Sequence, residues 1–296
     1  MRGWAGEGWG VRVGRFVRGA YPPLPSAVSA ALWACGGTGL FAALDPAGRG
    51  WRPGAGTAAA AAALFADLLL MRALDDIRDI GYDRRFHPRR PLPSGEVRVR
   101  DLLVLYAVGA AVLVASHAAW PWRAGVLLAQ LGYAAALLGV HLRWGRPHPD
   151  RLFAGLLVSL PVPVLLHLYL YAGYLDAAGH GPDASALTAV LVAVLAAGHV
   201  ELAGKTTRAP LPGERTCTAV LGLRGAVACV LAAPVLSALL LAFSARTGPW
   251  TAVVFAPLIV PAPAAVSFAR GRTRWPAPAL YMAAAFASWA VLGLAR

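Results

Sequence analysis

The sequence predicts an all-α integral membrane protein, a bundle of nine transmembrane helices capped at one end by two cytoplasmic loops. The prediction depends on composition, on apolar stretches of regular length and on the uneven distribution of Arg. Of the 296 residues, 58% are hydrophobic and only 14% are charged, whereas soluble domains carry about 25% charged residues. This composition argues against a water-soluble enzyme.

Apolar stretches recur along the chain at the length that a membrane-spanning helix needs, about 20 residues. The predicted spans are residues 25–44, 56–76, 101–119, 122–140, 151–171, 184–202, 219–242, 250–269 and 277–294. The third and fourth are almost contiguous, so a tight hairpin should connect them. Residues 1–22 alternate Arg with apolar residues, which predicts a basic helix at the membrane interface. Residues 23–296 then form a single membrane domain.

The basic residues fix the predicted orientation. With the N-terminus in the cytoplasm, 22 of the 27 Lys and Arg residues fall on cytoplasmic segments, as the positive-inside rule requires. The same rule accounts for the net charge of +13, so membrane lipid and not nucleic acid is the predicted partner. No cleavable signal peptide is recognisable, and the first span should act as the targeting signal. Cys35, Cys217 and Cys229 form no C-x-x-C pair, which predicts neither disulfides nor zinc.

Four carboxylates lie at the end of the second span and just beyond it. Asp75, Asp79 and Asp83 are spaced i, i+4 and i+8, so on a continuous helix they share one face, and Asp76 flanks it. Like charges at this spacing repel each other, and a cation would relieve the repulsion. Mg²⁺ usually binds one or two carboxylates together with substrate phosphates. The alternative is a solvated acidic helix end that pairs with nearby Arg residues.

Basic residues accompany this acidic stretch. Arg72 precedes Asp76 by one turn, and a Pro-rich turn over residues 86–95 should carry Arg89 and Arg90 back towards the carboxylates. The forked guanidinium suits phosphate oxygens. In the second polar loop, Glu201 and the single Lys of the chain, Lys205, share a helix face; an ordinary ion pair at a helix end is the alternative.

The residues 75–83, followed by Arg90-Pro91-Leu92-Pro93-Ser94-Gly95, resemble the first Asp-rich motif of the UbiA superfamily of intramembrane prenyltransferases. The family motif usually opens with Asn, where this chain has Asp75. The resulting Asp75-Asp76-x-x-Asp79 is also similar to the DDxxD motif of terpene synthases. The stretch 201–222 resembles the second family motif but lacks its later Asp, for which Glu214 is a candidate substitute. The resemblance covers essentially the whole chain and implies nine helices around a central cavity.

The resemblance implies that Mg²⁺ holds an isoprenyl diphosphate, which ionises to an allylic carbocation inside the bundle. The implied metal ligands are Asp75, Asp76, Asp79 and Asp83, with Glu201 as an outer candidate. The implied diphosphate ligands are Arg72, Arg90, Lys205 and Arg208. We expect cyclisation of the chain on its own double bonds, as in UbiA-type terpene cyclases. Transfer to an aromatic or other lipophilic acceptor is the alternative, and cation transport through the acidic stretch is a remote one.

Aromatic side chains attract cations, and several in or near the spans are candidates for steadying the carbocation. These are Tyr82, Phe86, Tyr106, Tyr133, Tyr169 and Tyr171. His167, in the fifth span, is a candidate proton acceptor. A hydrogen-bonded core histidine is the alternative for that residue.

Overall fold

A computed structural model of the protein describes residues 7–48, 50–145, 152–245 and 248–296. Secondary structure in these ranges is helical, apart from an isolated antiparallel bridge between Thr207 and Arg274. The predicted all-α class is therefore confirmed. The helices are α1 (Trp9–Ala20), α2 (Pro23–Leu44), α3 (Ala55–Arg78), α4 (Ile80–Phe86), α5 (Val99–Ala115), α6 (Pro121–Trp144), α7 (Leu152–Ser159), α8 (Pro161–Ala178), α9 (Ser185–Gly204), α10 (Cys217–Ser244), α11 (Thr251–Phe255), α12 (Pro261–Ala269) and α13 (Pro278–Leu294).

Seven helical segments of the described chain are long and apolar enough to cross a membrane. They are Pro23–Leu44, Ala55–Arg78, Pro121–Trp144, Leu152–Ala178, Ser185–Gly204, Cys217–Ser244 and Gly248–Ala269. The third and ninth predicted spans correspond to α5 and α13, which have 17 residues each. The count of nine spans and the cytoplasmic N-terminus remain predictions.

Proline and glycine explain why some spans are not single regular helices. The predicted span 151–171 consists of α7 and α8, which meet at Leu160, directly before Pro161. A proline cannot donate the backbone hydrogen bond that would continue the preceding helix. Within α10, Gly222 has φ +70°, a left-handed conformation that costs glycine little.

The chain divides into two compact units. The described part of the first unit comprises residues 7–31 and 61–145, which include α1, most of α3, and α4 to α6. The second unit contains most of α2 and the helices from α7 to α13.

In the first unit, the predicted N-terminal helix is present as α1 and packs on the start of α5. Arg12 donates two hydrogen bonds to the Asp101 carboxylate, each 2.7 Å long, and Phe16 is fully buried. A Cβ added at Gly19 would lie 2.8 Å from Cγ of Pro91. This close approach holds α1 against the Pro-rich loop that follows α4.

In the second unit, α2 and α13 pack through small residues. A Cβ added at Gly36 would lie 2.5 Å from the backbone of Phe286, and one at Gly293 would lie 2.6 Å from the backbone of Gly39. Membrane helices commonly use such residues to bring their backbones together. Elsewhere in this unit, the Ser237 hydroxyl of α10 donates to the Val192 carbonyl of α9 at 2.9 Å.

Candidate functional site

The four carboxylates of the first motif lie where α3 ends and α4 begins. The backbone leaves the regular helix at Asp79 (φ −95°, ψ 9°). Helical hydrogen bonding nevertheless continues through the break, from Asp79 N–H to the Asp75 carbonyl at 2.9 Å and from Asp83 N–H to the Asp79 carbonyl at 2.8 Å. The break shifts the side chains while keeping all four close to one end of the helix.

The buried carboxylates are not the three that were predicted to share one helix face, Asp75, Asp79 and Asp83. Asp76 and Asp83 are each 1% exposed, whereas the side chains of Asp75 and Asp79 are 49% and 30% exposed. Residues seven apart return to nearly the same helix face after two turns. The buried acidic face therefore consists of Asp76 and Asp83, and Asp75 and Asp79 lie beside it.

Each buried carboxylate contacts one Arg. Arg72 lies 2.7 Å from Asp76 Oδ1, and Arg90 donates a 2.7 Å hydrogen bond to Asp83 Oδ2. The predicted return of Arg90 to the carboxylates is therefore confirmed. Both guanidinium groups remain partly exposed, at 29% for Arg72 and 36% for Arg90.

The partly exposed carboxylates share one cation. Arg78 lies 2.8 Å from Asp75 and 3.3 Å from Asp79. This is the local Arg pairing that was the alternative interpretation of the acidic stretch. The burial of Asp76 and Asp83 sets these two residues apart from an ordinary solvated helix end.

Asp76 retains unused acceptor capacity. Although Arg72 is within ion-pair distance, the angle between them is not that of a hydrogen bond, and neither carboxylate oxygen of Asp76 has a hydrogen-bond partner among the described residues. The Nε of Arg72 is buried and has no such partner either. Buried polar atoms of this kind are uncommon and call for an explanation such as a bound ion or ligand.

The Pro-rich loop owes its shape to backbone hydrogen bonds and buried apolar side chains. Ser94 N–H donates to the Arg90 carbonyl at 3.0 Å, and Val97 N–H donates to the Pro91 carbonyl at 3.2 Å. Leu92 and Val97 are 5% and 2% exposed. These contacts hold Arg90 beside Asp83, while Arg89 is exposed.

A cavity of about 330 Å³ adjoins the motif in the first unit. Its lining includes the charged residues Arg72 and Asp75, the hydroxyls of Ser26 and Ser29, and the apolar Leu68. The two serines are not predictable from the sequence, because they lie more than 40 residues before the motif and no local pattern links them to it. A charged and an apolar lining in one cavity suits an amphiphilic ligand.

In the second unit, Glu201 and Lys205 form the predicted i, i+4 contact. Their side chains are 2.6 Å apart and 58% and 33% exposed. This geometry matches the ordinary ion pair that was the alternative interpretation. Both groups remain accessible at the end of α9.

The other basic and acidic candidates of the second loop bind protein groups. Arg208 donates from Nε to the Phe268 carbonyl at 2.8 Å and from its terminal nitrogen to the Ala269 carbonyl at 3.0 Å. Its guanidinium also lies 4.9 Å from the centre of the Phe268 ring. Glu214 pairs with Arg274 at 2.9 Å. These contacts tie the second loop to the end of α12 and to the segment after it.

The aromatic candidates are divided between the two units. Tyr82 and Phe86 lie next to the acidic residues, with ring centres 4.5 Å apart. The Tyr106 hydroxyl donates to the Leu131 carbonyl at 2.6 Å and joins α5 to α6, whereas Tyr133 is half-buried. Tyr169 and Tyr171 belong to the second unit and are 1% and 7% exposed.

The contacts of His167 are those of a core histidine. Its Nδ1 lies 2.7 Å from the Pro163 carbonyl, and its Nε2 accepts a 3.2 Å hydrogen bond from Trp33 Nε1. The ring is therefore neutral, with its proton on Nδ1. These contacts match the alternative interpretation, a hydrogen-bonded core histidine, and a role in proton transfer remains a prediction.

Within the described residues, no group of three or more His, Cys, Asp or Glu side chains could hold a metal ion. Mg²⁺ often needs only one or two carboxylates when substrate phosphates complete its coordination. The buried acidic face offers two such carboxylates, Asp76 and Asp83. Comparisons with protein-family models, with curated proteins and with solved structures found no match to this chain.

Proposed function

We propose that this protein is an intramembrane enzyme that ionises an isoprenyl diphosphate in a Mg²⁺-dependent reaction and then cyclises it, as UbiA-type terpene cyclases do. The observation that carries the proposal is the pair of buried carboxylates, Asp76 and Asp83, each beside a partly exposed Arg at the end of an apolar span. Ionisable residues at such a position are functional candidates. We further propose that this end of the bundle faces the cytoplasm.

The chemistry of the donors favours a diphosphate bound with a hard cation. Among the residues that the structure describes, neither oxygen of Asp76 has a hydrogen-bond donor. Asp83 would be the second ligand, with Asp75 and Asp79 close by. Bound Mg²⁺ would supply charge neutralisation for the departing diphosphate. Arg72 and Arg90 are exposed enough to turn from their carboxylates to phosphate oxygens.

The reaction breaks the bond between C1 of the isoprenyl chain and the diphosphate oxygen. The bonding electron pair leaves with the diphosphate, and the chain becomes an allylic cation. In cyclisation, a double bond of the same chain donates its electrons to C1, and loss of a proton or addition of water ends the reaction. Tyr82 and Phe86 lie next to the acidic residues and would present ring faces to the cation.

Transfer of the same cation to a lipophilic acceptor is the second candidate function. It uses an identical ionisation step, so Asp76, Asp83 and their Arg partners support both functions equally. Purified protein should be incubated with Mg²⁺ and geranyl, farnesyl or geranylgeranyl diphosphate, separately and without an acceptor. Mass spectrometry should detect a cyclic hydrocarbon or terpene alcohol. If products form only after an acceptor is added, cyclisation is wrong and prenyl transfer is supported.

A further inference from the structure

Two polar side chains lie wholly inside the first unit, apart from the acidic motif. Asp67 of α3 and Gln130 of α6 are both 0% exposed. Asp67 lies within the candidate span Ala55–Arg78 and precedes Asp75 by eight residues, or about 12 Å along a helix axis. A carboxyl group inside a span is a functional candidate by default. Asp67 is not among the site residues predicted above, although an acidic residue in the run Ala-Ala-Leu-Phe-Ala-Asp-Leu-Leu-Leu-Met is a usable signal.

One oxygen of Asp67 and one oxygen of Gln130 have no hydrogen-bond donor among the described residues. Gln130 Nε2 lies 3.4 Å from Asp67 Oδ2 and 3.1 Å from Met71 Sδ. The other oxygen of each side chain, Asp67 Oδ1 and Gln130 Oε1, has neither solvent contact nor a hydrogen-bond partner among the described residues. Two buried acceptors without donors are costly in an apolar interior.

The surrounding groups do not supply the missing donor. Two tyrosines, Tyr21 and Tyr106, lie near Asp67. The Tyr21 hydroxyl donates to the Phe65 carbonyl at 2.8 Å, and that of Tyr106 donates to the Leu131 carbonyl at 2.6 Å. In the part of the chain that the structure describes, no Lys, Arg or His forms an ion pair with Asp67.

A proton fits this pair better than a metal ion. Hard cations such as Mg²⁺ and Ca²⁺ take about six or more oxygen ligands, and the pair offers two unpartnered oxygens. A proton on Asp67 removes a negative charge that would be uncompensated in the membrane interior. It also creates the hydroxyl donor that the pair lacks.

We propose that Asp67 and Gln130 form a proton-binding site inside the membrane-spanning part of the protein. Asp67 is a carboxylic acid at neutral pH, and Gln130 holds it by hydrogen bonding. The site requires neither magnesium nor diphosphate, so it stands independently of the proposed function.

Infrared difference spectroscopy of the full chain in lipid nanodiscs tests the proposal. At neutral pH, the wild type should show the carbonyl-stretching band of a protonated carboxyl group, and this band should shift when water is replaced by D₂O. Asp67→Asn should remove the band. Asp45→Asn is the matched control, because Asp45 is also buried, at 3% exposed, but contacts Tyr174, His180 and the backbone N–H of Ala47. The control should remove a carboxylate band instead.

Loss of a carboxylate band in Asp67→Asn would overturn the proposal. If that variant does not fold, Gln130→Leu provides the second test, because removal of the amide should raise the frequency of the protonated carboxyl band. An unchanged frequency in Gln130→Leu would contradict the proposed pairing. Conversion of the band to a carboxylate band when Na⁺ or Mg²⁺ is added would show a cation site and not a proton site.

Discussion

Arg90→Gln should destabilise the protein more than Asp83→Asn, although both substitutions remove the same ion pair. The Asp83 side chain is 2% exposed and that of Arg90 is 36% exposed. Without Arg90, a buried carboxylate loses its cation, whereas without the Asp83 charge the guanidinium can turn to solvent. The asymmetry in exposure should therefore appear as an asymmetry in unfolding free energy.

The expected sizes follow from this exposure. Breaking a fully buried ion pair costs about 3–5 kcal/mol, and solvent around Arg90 lowers this to about 2–3 kcal/mol for Arg90→Gln. Asp83→Asn retains a polar side chain of the same size and should cost about 1 kcal/mol. The double variant should have about the same unfolding free energy as Asp83→Asn, because both lack the buried negative charge of Asp83.

Equilibrium unfolding in mixed micelles with increasing denaturing detergent measures these differences. The full set is wild type, both single variants and the double variant, which gives the coupling energy of the pair. Equal costs for the two single variants, or a cost below about 0.5 kcal/mol for Arg90→Gln, would refute the reasoning and indicate a solvated pair.

Two further predictions concern the second unit. Gly36→Ala should destabilise the packing of α2 on α13 by about 1–3 kcal/mol, because its Cβ would lie 2.5 Å from the Phe286 backbone. Thermal unfolding measures the effect, with Gly132→Ala as the control because Gly132 has open space around it. Equal melting temperatures for the two variants would contradict the predicted clash. Burial opposes ionisation of Asp45, but hydrogen bonds from Tyr174, Ala47 N–H and His180 more than offset it, so the pKa of Asp45 is below its ordinary value. Its ionised form therefore stabilises the fold above about pH 4, and this stabilisation is lost as the pH falls through the lowered pKa. Thermal melts over this pH range should show a smaller acid-induced loss of stability in Asp45→Asn than in the wild type. An equal loss in both proteins would count against the hydrogen-bond network around Asp45.

Local patterns in the sequence predicted the helical spans and part of the site. Apolar runs of spanning length locate the helices, and the Pro-rich turn after Phe86 correctly places Arg90 near the carboxylates. The i, i+4 spacing of Glu201 and Lys205 likewise predicts their contact. Each of these features depends on residues within one or two helical turns, or within one short loop.

Features that depend on tertiary packing could not be predicted in this way. The periodic spacing selects Asp75, Asp79 and Asp83, but the break at Asp79 and the packing of the first unit bury Asp76 and Asp83. Arg208 resembles a diphosphate ligand in sequence, yet it contacts the Phe268 carbonyl 60 residues away. No local pattern indicates such distant partners.

Release of inorganic diphosphate from an isoprenyl diphosphate tests the central claim most directly. Wild-type protein should release diphosphate only when Mg²⁺ is present, and Asp76→Asn, which removes a proposed Mg²⁺ ligand but keeps the size of the side chain, should abolish release while keeping the helical content of the wild type. Gly132→Ala, remote from the acidic residues in sequence, should retain activity as a control. Activity of Asp76→Asn within about tenfold of wild type, which corresponds to about 1.4 kcal/mol of barrier, would contradict the account. Release that is independent of Mg²⁺ would contradict it equally.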